Sequence, residues 1–139
     1  MKVKEIMRGG IVAVFPDTPL RLVAEKMREF NVGCVLVMTD GGWMKGILTD
    51  RDIVVRALAH GRDPATTPAS EVMRTHVVRG YPEMDLEEAA GLMAFHQVRR
   101  LPIEDGGRII GIVSMTDIGR EAQQEIGHLL SLHAVPAYP

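Results

Sequence analysis

Apolar residues along this chain alternate between two spacings. Ile11-Val12-Ala13-Val14-Phe15 is an unbroken apolar run, which suits a short buried or edge strand. Leu20, Val23, Ala24, Met27 and Phe30 then recur three and four apart, which predicts one apolar stripe of a helix. Thr18 is placed to cap that helix, Pro19 suits its first turn, and Asn31 ends it. Gly33 to Met38 reads as a strand, Asp40-Gly41-Gly42 as a turn, and Trp43 to Leu48 as the returning strand. A second helix is expected from about Asp50 to Ala59, followed by a linker rich in glycine and proline.

The pattern then starts again. Met7 and Met73, Pro16 and Pro82, and Val32 and Val98 are each 66 positions apart. From the glycine turn onward the offset is 65, as for Gly46 and Gly111 or Asp52 and Asp117, so one residue is extra in the first copy, near Met38 or Thr39. The helix of the second copy opens at Asp85-Leu86-Glu87-Glu88, with acids in its first turn, and its next strand begins Arg99-Arg100-Leu101-Pro102-Ile103. A last helix runs from about Met115 into the early 130s. The division is repeat one at 1–60, linker at 61–69, repeat two at 70–133 and a loose tail at 134–139. The fold class is α/β: two βαββα repeats whose small sheets are too marginal to stand alone and pack together about a pseudo-twofold axis.

Composition narrows the function. A chain of 139 residues with 46% apolar and 24% charged side chains can bury a core of ordinary globular type. Aromatics are scarce at 4%, so aliphatic residues and nine methionines must fill it. A net charge of −2 disfavours a nucleic-acid binder, which would carry a basic stripe. The single cysteine, Cys34, fits a reducing compartment, no apolar run is long enough to span a bilayer, and the first residues lack a signal peptide's apolar segment. A cytoplasmic protein is expected.

The chemistry concentrates in Gly46-Ile47-Leu48-Thr49-Asp50-Arg51-Asp52 and Gly111-Ile112-Val113-Ser114-Met115-Thr116-Asp117. Each reads as a strand running into a helix, with a hydroxyl at the junction and an aspartate three residues on. Taken singly this is a helix cap. The same physics also makes a nucleoside phosphate site: free amides and a hydroxyl hold phosphate, a carboxylate one turn in accepts from ribose hydroxyls, and the glycine permits close approach to the backbone. Its occurrence at matching places in both repeats favours the second reading.

With these residues, and with Glu5-Ile6-Met7, Glu71-Val72-Met73 and His96 to Ile103 in support, the chain resembles a tandem pair of cystathionine-β-synthase-type (CBS) domains, a Bateman module. The resemblance spans about Val3 to Glu121. It implies clefts between the repeats that bind adenosyl compounds such as AMP, ADP, ATP, S-adenosylmethionine or NAD, with no obligatory cofactor. By position, Thr49 and Ser114 would hold phosphate or ribose oxygens, and Asp52 and Asp117 the ribose hydroxyls. Val12, Ala13, Val77 and Val78 would border adenine, and Arg99 and Arg100 would face phosphates. The first repeat has Gly33-Cys34 where the second has Arg99-Arg100, with Arg51 as a compensating charge, so two unequal sites are expected. The implied role is regulatory signalling, as in energy sensing, through a homodimer and an unidentified effector protein. The alternatives are a structural dimerisation module with non-binding clefts and, more weakly, a binder of single-stranded nucleic acid.

No catalytic constellation stands out, and an enzyme is not expected. Cys34 lacks a neighbouring base, and His60, His76, His96, His128 and His133 show no metal-ligand spacing.

Overall fold

The protein is described by a computed structural model over residues 1–132; the expected tail at 134–139 and the end of repeat two at 133 lie outside the described residues. The first repeat contains β1 (Ala13–Val14), α1 (Leu20–Phe30), β2 (Cys34–Thr39) and β3 (Trp43–Thr49). Next, α2 begins at Asp50–Asp52, continues as a π-helical turn over Ile53–Ala57 and ends as a 3-10 turn over Leu58–His60. In the second repeat come α3 (Leu86–His96), β4 (Arg100–Asp105), β5 (Arg108–Ser114) and α4 (Met115–Leu132).

The strand β1 runs parallel to β2, and β2 pairs antiparallel with β3. The second sheet is the β4–β5 hairpin alone, where two three-stranded sheets are expected from the sequence. Its counterpart of β1 is reduced to one parallel bridge between Gly80 and Ile103. The space there is tight: a Cβ on Gly80 would lie 2.8 Å from a Leu101 methyl. The odd residue of the repeat falls in the hairpin turn, because three residues connect β2 to β3 and two connect β4 to β5. That places it one or two positions beyond Met38–Thr39.

Helix α1 departs from its expected cap. The Thr18 hydroxyl accepts from the Phe15 amide instead, and the helix starts at Pro19 without a side-chain cap. Its first free amides, Leu20 and Arg21, donate to the linker carbonyls of Thr67 and Pro64 at 2.9 Å, so the linker supplies the cap. In the second repeat the Leu86 amide donates to the Met1 carbonyl, and Asp85 is engaged by Lys2 rather than by its own helix. Both helices end on a left-handed residue, Asn31 at φ 52° and Gln97 at φ 55°. Phe30, placed on the apolar stripe by its spacing, is 53% exposed, and Ala24 is also exposed.

These contacts belong to a reciprocal exchange. Residues leading into repeat one pack on repeat two, and residues leading into repeat two pack on repeat one. Val3 is fully buried in the core of the second repeat with Ala89, Met93, Leu101 and Val113. Ala69 and Val72 are buried in the first core with Leu20, Val23, Val35 and Leu48. A third cluster, Leu36, Met44 and Ile109 with Val77 and Ile47 beside it, joins the two sheets.

Candidate functional site

The repeated glycine explains how the exchange is built. The Ile47 and Arg74 backbones exchange two hydrogen bonds of 2.9 Å, and Ile112 and Arg8 do the same at 3.0 and 2.9 Å. A Cβ on Gly46 would sit 2.7 Å from the Arg74 carbonyl oxygen and 2.8 Å from the Met73 sulfur. On Gly111 it would meet the Met7 sulfur at 2.9 Å and the Arg8 carbonyl oxygen at 3.1 Å. The group that approaches each glycine is therefore the lead-in chain of the other repeat.

That approach delivers an arginine to each aspartate. At the start of α2, Thr49 and Asp52 form a reciprocal cap, with the Asp52 amide donating to the threonine hydroxyl and the Thr49 amide to the carboxylate, both at 3.1 Å. Arg74 adds donors from Nε and Nη2 to the same Asp52 oxygen, each at 3.0 Å. At the start of α4, the Asp117 amide donates to the Ser114 hydroxyl at 3.0 Å and the Ser114 amide to the Asp117 carboxylate at 3.3 Å. Arg8 donates to Asp117 at 3.1 Å, and Arg120, one turn along the helix, at 3.5 Å. The two assemblies differ in access: the Asp52 side chain is 1% exposed and that of Asp117 11%.

Burial alone would raise both carboxyl pKa values. For Asp52 the hydrogen bonds from Arg74 and Thr49 outweigh it, and for Asp117 those from Ser114 and Arg8 do, so both stand below the ordinary aspartate value.

A cleft of about 590 Å³ opens at the start of α4. Arg8, Arg99, Arg100 and Arg120 line it, together with Ser114 and Thr116, and among the described residues Asp117 is the one carboxylate on its wall. Ile11, Val12 and Leu36 supply apolar wall from the first repeat, beside Gly33 and Cys34. Burial is the main cause that lifts the Cys34 thiol to about 11, only partly offset by Arg100. Of the residues singled out in the sequence, this cleft gathers Val12, Arg99, Arg100, Ser114 and Asp117.

The others sit elsewhere. Thr49 and Asp52 are joined to Arg74 across the molecule, Arg51 is exposed, and Ala13 gives its carbonyl to Lys26 at 2.9 Å. Val77 packs into the cluster between the sheets, and Val78 packs against the second core. Sequence reasoning missed Arg8, Arg74 and Arg120. The first two carried a usable signal, because they follow Met7 and Met73 at the same 66-residue offset. Among the described residues, no three His, Cys, Asp or Glu side chains gather as metal ligands, and no helix is long and apolar enough to cross a membrane.

Comparison with known proteins gives a consistent picture. The family model for the CBS domain matches twice, at residues 3–58 and 69–123. The CBS domain-containing protein YhcV of Bacillus subtilis is 47% identical over 116 residues, covering 84% of this chain and 81% of that protein. Hypoxic response protein 1 of Mycobacterium tuberculosis is 37% identical over 117 residues, covering 84% and 82%. A crystal structure of Hypoxic Response Protein I with two coordinated zinc ions superposes with a TM-score of 0.79 at 35% identity, covering 86% of this chain and 98% of that one. The CBS domain pair of protein MJ0100, solved with 5′-methylthioadenosine and S-adenosyl-L-methionine, shares the fold at a TM-score of 0.80 and 22% identity, covering 90% and 98%.

Proposed function

Since the chain belongs to the CBS domain family and carries two copies in tandem, we propose that it is a regulatory module that binds an adenine nucleotide and passes occupancy to a partner protein as a change of shape. The observation that carries this reading is the cleft at the start of α4, where four arginines surround a single carboxylate beside a hydroxyl. In it Arg99 and Arg100 take the phosphates, Ser114 a phosphate or ribose oxygen, and Asp117 the ribose hydroxyls, with Ile11 and Val12 against the base. The site performs binding rather than chemistry.

The charge of the cleft orders the ligands. Nucleotides with more phosphate charge are favoured, and S-adenosylmethionine, which carries a sulfonium cation, is opposed by the arginines. The other aspartate, Asp52, is closed by Arg74, so one nucleotide per chain is the expected stoichiometry. Val54, Val55 and Leu58 stand exposed on α2 and offer an apolar surface for a homodimer packed through its helices. The protein acts in the cytoplasm, without an obligatory cofactor.

Calorimetric titration with adenosine, AMP, ADP, ATP, NAD and S-adenosylmethionine tests the reading. ATP and ADP should bind best, and Asp117→Ala should weaken every adenosyl ligand. Removing Arg99 and Arg100 should weaken mainly the phosphorylated ones. No heat and no thermal shift with any of the six would overturn it. That result would favour a structural dimerisation module, for which the closed Asp52–Arg74 pair is the supporting observation.

A further inference from the structure

Asp117 already has its hydrogen bonds in the structure. One carboxylate oxygen accepts from the Ser114 amide, and the other accepts from both Arg8 and Arg120. A carboxylate offers about four lone-pair positions, two on each oxygen. The vicinal hydroxyls of a ribose bring two donors, so they cannot both be seated while the second oxygen holds two guanidinium groups. One arginine must give way. Arg120 lies on the same helix as Asp117, three residues on, and its displacement would remain local. Arg8 lies in the exchanged lead-in segment, 109 residues away in the chain.

We propose that Arg8 is a latch: its ion pair with Asp117 closes the cleft when it is empty, and a bound ribose takes its place and loosens the Met7–Arg8 segment. The inference rests on the nucleotide reading of this cleft. Several details make Arg8 the movable member. Its side chain is 62% exposed against 11% for Asp117, so it can leave for solvent at small cost. Its backbone pair to Ile112 is matched by that of Arg74 to Ile47, so the difference between the two arginines lies in the carboxylate each one meets. The pseudo-symmetric Arg74–Asp52 pair makes two contacts to a carboxylate that is 1% exposed, which sets it as the fixed member.

The latch supplies a route out of the site. Upstream of Arg8, Ile6 and Met7 are half-buried and their amides donate to the Val3 carbonyl, and Val3 itself is fully buried in the second core. Occupancy therefore releases Met7 and Arg8 against Gly111 while Val3 stays in place. A ligand that breaks the pair loosens the segment, and loosening the segment helps the ligand by the same factor.

The test uses the full-length chain. Adenosine, which has the ribose and no phosphate, should bind Arg8→Ala about two- to fivefold more tightly than wild type, the range expected from removing a partly exposed ion pair. Arg120→Ala should change adenosine affinity less. In an Asp117→Ala background the Arg8→Ala effect should vanish. Independently, saturating wild type with ATP should speed hydrogen exchange at the Arg8 amide, with the Asp52 amide, bonded to the Thr49 hydroxyl, as an unaffected reference. Unchanged or weaker adenosine binding by a folded Arg8→Ala protein overturns the latch, and so does unchanged or slower exchange at Arg8. If wild type binds ATP without measurable adenosine, the exchange result alone decides. If it binds neither, the nucleotide reading itself has failed, which is a different outcome.

Discussion

Nε and Nη2 of Arg74 both lie 3.0 Å from one oxygen of Asp52, fastening the start of α2 to a residue 22 positions away. Arg74→Ala leaves that carboxylate, 1% exposed, with only the Thr49 cap. The expected loss is about 2 kcal/mol, the cost of a charged hydrogen bond and less than that of breaking a fully buried pair, because Arg74 itself is exposed. Arg8→Ala removes a more exposed contact and should cost about 0.5 kcal/mol. Urea unfolding of the two variants checks the order; equal losses would contradict it.

The two aspartates also predict an acid limb. Both folded pKa values lie below the ordinary 3.8, so the unfolded chain takes up protons first as pH falls. Their stabilisation is complete above about 3.8 and is lost as pH drops through the lower folded values. Asp52→Asn has no proton to gain and should flatten that limb in urea midpoints measured across acidic pH.

Gly46→Ala should be more harmful than Gly111→Ala. At Gly46 the added methyl meets a backbone oxygen at 2.7 Å, whereas at Gly111 its nearest neighbour, at 2.9 Å, is the flexible Met7 side chain. A loss of about 1–3 kcal/mol is expected for the first and less for the second. Thermal midpoints decide between them.

Cys34 should be a slow thiol. With its pKa pushed up to about 11, only about one molecule in a thousand carries the thiolate at pH 8. Alkylation by iodoacetamide, followed by mass spectrometry, should lag well behind a model thiol, and ATP in the neighbouring cleft should slow it further. Rapid labelling would place Cys34 in a more open setting than the structure shows.

How much of this was legible in the sequence depends on the range of the contacts. The α/β class and the paired repeat follow from apolar spacing and the 66-residue offset, because Val23, Met27, Ala89 and Met93 repeat a local pattern. Ser114 and Asp117 could be singled out because the strand-to-helix junction recurs at Thr49 and Asp52, whereas Val12, Arg99 and Arg100 came from the family resemblance. Thr18 misled because capping is judged locally, while the amides of α1 are satisfied by Pro64 and Thr67. Gly46 misled in the same way: close approach was readable, but the approaching chain was Met73–Arg74 from beyond the linker. Arg8 and Arg74 gain their meaning from partners 109 and 22 residues away, and spacing along one helix or strand carries no trace of such pairs.

The exchange of lead-in segments has a consequence for how the chain is made and divided. The first repeat lacks its closing pieces, Ala69, Val72 and Arg74, until the start of the second has been synthesised. The second depends on Val3, made before either core and held in reserve. A chain severed in the exposed stretch around Arg62 would leave each fragment carrying a piece the other needs. Such fragments are expected to be poorly folded apart and to recover structure on mixing. The sequence repeat is thus not the folding unit; the smallest part that closes its own core is the pair.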